Sequence, residues 1–127
     1  MTRDKSERHG QTATESDVTH RLESVLDLTG FQRDVLLVIV DSDETWPSGA
    51  AITRSFERIW HTEINRSRVY QNLDKLQEQG FVTTYPIDGR TKGYSLTDHG
   101  ENAMLAYRRW MLSCLSNDHA DATASGT

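Results

Sequence analysis

The chain has 127 residues, enough for one domain with a modest core. It carries 14 Lys and Arg against 19 Asp and Glu, a net charge of −5, and a single cysteine, which excludes an internal disulfide and a multi-cysteine zinc site. No apolar run reaches the roughly 18 residues of a membrane span, and the polar opening Met-Thr-Arg-Asp-Lys-Ser lacks the apolar stretch of a secretion signal, so a cytoplasmic protein away from membranes is expected.

Residues 1–12 and 116–127 contain almost no large apolar side chain, and burial there cannot offset ordering entropy. They read as disordered tails. Within the N-terminal segment 13–28, Val18, Leu22, Val25 and Leu26 form one stripe of a helix over Ser16–Leu26. Thr29 followed by Gln32 is a capping box, opening a helix over Gly30–Asp41 with Phe31, Val35, Val38 and Ile39 on one face. Ser48 caps a third helix, Gly49–His61, with Ile52, Phe56, Ile59 and Trp60 in line. Thr62–Ile64 is a linker or a minimal strand. Asn65 caps a fourth helix, Arg66–Gln79, which Gly80 stops in a left-handed position.

The period then changes. Phe81–Ile87 is rich in aromatic and β-branched residues, Asp88-Gly89 signals a two-residue turn, and Thr91–Leu96 returns as a second strand. Thr97 caps a long last helix, Asp98–Leu115. Short helices followed by a hairpin give a mainly α fold with one small β element. Its order is that of a winged helix-turn-helix over 29–97, with an added helix at each end.

In the fourth helix Val69, Leu73 and Leu76 point inward. About 140° away, at roughly 100° per residue, lie Arg68, Gln71, Asn72 and Lys75, with Arg66 and Ser67 at the N-terminal end. Arg pairs with guanine, Asn and Gln pair with adenine, and Ser and Lys hold phosphate. The alternative is a solvated polar face. The hairpin tip adds Arg90, Thr91 and Lys92, cations suited to the DNA backbone or the minor groove. Double-stranded DNA is the expected partner. A protein-protein interaction module of the same fold is the alternative.

The stretch 29–97 resembles the PadR-like winged helix-turn-helix regulators, particularly their haloarchaeal form. The matching pieces are Leu-Thr-Gly-Phe-Gln-Arg-Asp at 28–34, Glu-Ile-Asn at 63–65, Arg-Val-Tyr-Gln-Asn-Leu-Asp-Lys-Leu at 68–76, Gln-Gly-Phe-Val at 79–82, Gly-Tyr-Ser-Leu-Thr at 93–97 and Gly100. The resemblance implies a homodimeric transcription regulator on a pseudo-palindromic operator, with a stress role. It also implies that Tyr70 sits at the DNA-facing helix and touches phosphate, although its angle lies away from the Arg68 stripe and packing at the core edge competes. No small-molecule effector carries over, because family members differ in binding one. The abundance of Asp and the scarcity of Lys, three against eleven Arg, read as a salt-loving cell, with compositional drift as the alternative.

The last helix aligns Met104, Tyr107, Met111, Cys114 and Leu115, with Trp110 beside them. These residues, with Val18, Leu22, Val25 and Leu26, are expected to form the dimer interface; packing within one chain is the alternative. Cys114 reads as a small buried hydrophobe rather than a redox switch. His9, His20, His61, His99 and His119 show no ligand spacing, and His61-Thr62-Glu63 lacks the downstream cysteines of a zinc deaminase. No catalytic motif, cofactor or metal is expected.

Overall fold

A computed structural model of the chain describes residues 14–116. In chain order the elements are α1 (Glu15–Leu26), α2 (Gly30–Asp41), α3 (Gly49–Trp60), α4 (Arg66–Glu78), β1 (Val82–Pro86), β2 (Lys92–Leu96) and α5 (Asp98–Leu115). Apart from Ser116, the expected tails lie outside the described residues.

Each helix begins where a short side-chain acceptor meets first-turn N–H groups that have no helical partner. Thr14 accepts from Asp17 N at 3.0 Å, so α1 starts one residue before the expected Ser16. Both arms of the Thr29–Gln32 capping box are present at 3.1 Å. Ser48, Asn65 and Thr97 accept from Ala51 N, Ser67 N and Gly100 N. At the other end of α4, Gly80 has φ of 83°, the left-handed stop its position called for. Helix α3 ends one residue early, because His61 itself turns left-handed, with φ of 54°.

The hairpin departs from the expected tight Asp-Gly turn. Antiparallel pairing runs from Val82 opposite Leu96 to Pro86 opposite Lys92. Beyond it, Ile87 N and Asp88 N both donate to Thr91 O, closing a longer loop. The physical reason is the Asp88 carboxylate, which accepts from Arg90 N at 3.0 Å and Thr91 N at 2.9 Å and replaces main-chain pairing at the tip. Nor is Thr62–Ile64 a strand. The chain beside β2 comes instead from the α2–α3 loop: Ser48 bridges to Gly93, and Tyr94 N donates to Pro47 O at 2.9 Å.

One core joins all the elements. Val35, Leu36, Ile52, Phe56, Val69, Leu73, Leu76, Phe81, Val82 and Tyr94 fill its centre, and Val25, Leu28, Ala103 and Met104 extend it toward the terminal helices. Helix α1 packs along α5 of its own chain, and Val25 and Met104 are buried there. Val18, Leu22 and Tyr107 are half-buried. Arg33 pins the arrangement. Its guanidinium donates to Leu28 O at 2.8 Å and lies 5.2 Å from the Tyr107 ring centroid, tying the α1–α2 junction to α5.

Candidate nucleic-acid interface

Helices α3 and α4 meet through a turn at residues 61–65. Ile64 packs against the core, and its N–H donates to the Glu57 carboxylate at 3.2 Å. This brace fixes the direction in which α4 leaves α3. Val69, Leu73 and Leu76 are completely buried, so rotation of α4 about its own axis is fixed as well. Ser67, Gln71 and Lys75 are left outermost and exposed.

The other two members of the predicted stripe behave differently. The Arg68 guanidinium lies 3.8 Å from the centroid of the Phe31 ring, which is itself stacked on Phe56 at 5.1 Å. A cation on a ring face is held by the ring's negative quadrupole. Asn72 is half-buried: its carbonyl accepts from the Gln32 side chain at 3.1 Å, and its amide donates to Arg68 O at 2.8 Å. Both functions of the Asn72 amide are engaged inside the chain. The predicted stripe therefore divides into an outward part, Ser67, Gln71 and Lys75, and a flank drawn onto the first turn of α2.

On the opposite flank Tyr70 covers Gly49, the first residue of α3. A Cβ on Gly49 would run into the Tyr70 ring, so glycine is what lets the ring lie there. The ring keeps an exposed edge. Arg66 is exposed at the helix start. Beneath this face, burial pushes the Tyr94 phenol above its ordinary range, and the Asp74 carboxylate and Tyr70 push it the same way.

The hairpin carries Arg90 and Lys92 exposed and Thr91 half-buried. Its root is braced by Tyr85 stacking on Trp46 at 5.2 Å. Hydrogen bonds from Arg90 N and Thr91 N hold the Asp88 carboxyl below its ordinary value of 3.8, so the wing tip carries an anion as well as its two cations at neutral pH.

These features form a helix-turn-helix followed by a wing. The family model of the PadR-like transcriptional regulators matches residues 35–106. The chain belongs to the PadR-like family. It is thus a transcriptional regulator and not an enzyme. Among solved structures, the hsRosR–S4 complex matches this PadR-like chain with a TM-score of 0.68 and 31% identity, over 84% of this chain and 99% of that one. RosR of H. salinarum, in a crystal grown from NaBr, matches with a TM-score of 0.65 and 31% identity, over 79% and 93%. A complex of S. aureus MepR with DNA shares the fold at a TM-score of 0.62 and 15% identity, over 87% and 86%. No protein of curated function matches.

Away from the DNA-reading candidates, this PadR-like chain exposes apolar side chains on α5. Leu105, Trp110, Met111, Leu112 and Leu115 are all exposed, as is Leu26 at the end of α1. Cys114 is exposed on the same helix. No helix among the described residues is long and apolar enough to cross a membrane, and no three His, Cys, Asp or Glu among them are placed to share a metal ion.

Sequence reasoning missed Phe31, Gln32 and Arg33. Phe31 was read as part of an apolar helix face and Gln32 as a cap, and Arg33 stood only within the 28–34 motif. The capping box did single out Gln32, but its second partner lies forty residues away.

Proposed function

We propose that this PadR-family regulator binds double-stranded DNA sequence-specifically, as a homodimer on a pseudo-palindromic operator, in a high-salt cytoplasm. The observation that carries the reading is the two-sidedness of α4. One side is locked into the core by Val69, Leu73 and Leu76, and the other presents Ser67, Gln71 and Lys75, with Arg68 and Arg66 at its N-terminal end. A helix held in this way enters the major groove with groups that recognise base edges and phosphate. Arg90 and Lys92 of the wing supply backbone contacts.

The dimer rests on the uncovered end of α5. Trp110, Met111, Leu115 and Cys114, joined by Leu26, are the surface offered to the second copy. Two-fold pairing places two copies of α4 over half-sites about one DNA turn apart. The Asp-rich, Lys-poor composition supports a saline cytoplasm, and a stress-responsive role is what the haloarchaeal resemblance adds. In molar salt counterion release drives little binding, so base contacts and DNA shape carry more of it.

The deciding experiment is selection of bound fragments from sheared genomic DNA at low and at molar KCl. A shared pseudo-palindrome recovered at both salts establishes the reading. Recovery at low salt alone, with a steep loss of affinity as KCl rises, removes the high-salt part. No enrichment at either salt transfers the assignment to a winged helix that binds another protein.

A further inference from the structure

Two neighbouring residues on the first turn of α2 hold the flank of α4 that faces them. Phe31 lies under the Arg68 guanidinium, and Gln32 bonds to Asn72, one helical turn further along. The polar half is a relay with no freedom of orientation. Thr29 N–H donates to Gln32 Oε1, Gln32 Nε2 donates to Asn72 Oδ1, and Asn72 Nδ2 donates to Arg68 O. A backbone N–H can only donate and a carbonyl can only accept, so the two ends force the orientation of both amides between them. Gln32 is only 7% exposed, and so this is an interior link between two helices.

We infer that Phe31 and Gln32 form a seat that sets the pose of Arg68 for base reading, and that Asn72 is a positioning residue within it and not a base reader. This rests on the proposed DNA reading through α4. A bidentate contact to adenine needs the oxygen and the amide of an asparagine together. In Asn72 the oxygen already accepts from Gln32 and the amide already donates to Arg68 O, so a base edge would meet only the second lone pair and second N–H of an amide held in one orientation. Arg68 is an exposed residue, with its guanidinium carbon 3.8 Å over the centroid of a ring that Phe56 backs in turn. A long side chain held in one orientation before contact loses less freedom on binding.

Gln32→Glu separates this role from capping. Glutamate keeps an oxygen for Thr29 N–H and is itself a good capping-box residue. It replaces the donor facing Asn72 with an acceptor. Asn72 cannot turn over to compensate, because its oxygen would then face Arg68 O. A residue that only caps α2 therefore leaves Gln32→Glu with wild-type operator recognition, whereas a seat does not.

The test uses the full chain and the operator recovered from the fragment selection, with each base pair varied in turn, at 1 M KCl, where long-range attraction to phosphate is screened beyond about 3 Å. Arg68→Ala is expected to lose roughly 5- to 150-fold of preference at one base pair. Gln32→Glu, Asn72→Ala and Phe31→Leu are expected to relax that same base pair, each by on the order of threefold to tenfold, with the Gln32–Asn72 double change no worse than the larger single one. Thermal melting of Gln32→Glu is expected to fall by a few degrees and remain cooperative, since the cap remains while a nearly buried carboxylate is left facing Asn72 Oδ1. The inference is overturned if Asn72→Ala relaxes a base pair of its own that Gln32→Glu leaves intact, or if neither change relaxes any. A wild-type chain that binds no duplex removes the DNA reading and this inference with it. In the first two outcomes Arg68→Ala still acts, so the two failures are distinct.

Discussion

Helices α4 and α5 are both amphipathic, yet they leave opposite kinds of surface uncovered. On α4 every large aliphatic side chain is sealed inside the chain, and what remains outside is polar or charged, apart from an edge of Tyr70. On α5 burial stops after Ala103 and Met104, and the outer turns expose Trp110, Met111, Leu112 and Leu115, the last at 76%. The difference is one of coverage. Helix α4 is enclosed by α2, α3 and the hairpin, while the 18 residues of α5 have the 12-residue α1 as their main helical neighbour. A polar uncovered face is stable in water and suits a charged ligand. An apolar one is stabilised by a protein surface of like kind.

The sharpest way to break this comparison is at the residues meant to differ most. Leu73→Ala, in the sealed face, is expected to cost about 2–5 kcal/mol of stability, and Leu115→Ala almost none in an isolated chain; chemical denaturation at dilute protein compares them. If both cost the same, α5 is covered in solution at all concentrations used. Trp110→Asp comes next. Desolvating a carboxylate against a second copy should raise the dimer dissociation constant at least about 30-fold, a loss near 2 kcal/mol, and sedimentation should then report single, folded chains. An unchanged mass would mean that α5 does not pair.

Smaller effects sharpen the α4 side. Gly49→Ala should cost about 1–3 kcal/mol by displacing the Tyr70 ring, and the Tyr70→Ala background should recover most of it, because the obstructing ring is gone; melting of the three proteins checks this. Arg68→Ala and Lys92→Ala are each expected to cost about 1–3 kcal/mol of operator binding, the first selectively at one base pair and the second uniformly across sequences. If both leave binding intact, α4 and the wing do not dock as proposed. The smallest effect is at the wing tip. The folded Asp88 carboxyl lies below its ordinary 3.8, so its tie to Arg90 N and Thr91 N is fully present above that value and is lost as pH falls through the lowered one. Amide shifts of Arg90 and Thr91 should therefore stay flat from pH 7 to 5 and move at lower pH with a midpoint below 3.8.

Much of the fold was legible because its signals are local. The threonine, serine and asparagine caps, the left-handed Gly80 and the spacing of Val69, Leu73 and Leu76 all act within one or two turns of chain. The hairpin tip was misread for an equally local reason. Asp88 can either precede a tight glycine turn or bond its own backbone, and the letters alone do not rank the two. The candidate site was legible as a set of residue types and only partly as a geometry. Helical periodicity puts Arg68, Gln71, Asn72 and Lys75 on one stripe but cannot say which of them a neighbouring helix will engage.

By itself, the sequence determined where helices start, where the hairpin lies, which face of α4 is apolar and which charges flank it. Those properties follow from short-range hydrogen bonding and from periodicities of two and 3.6 residues. Tertiary structure alone decided that α1 covers α5 of the same chain, that Cys114 is exposed, and that Asn72 is spoken for by Gln32. Each of these depends on which surfaces meet across long separations in the chain. Such contacts are selected by the shape and polar pairing of whole packed elements, and a window of sequence contains neither.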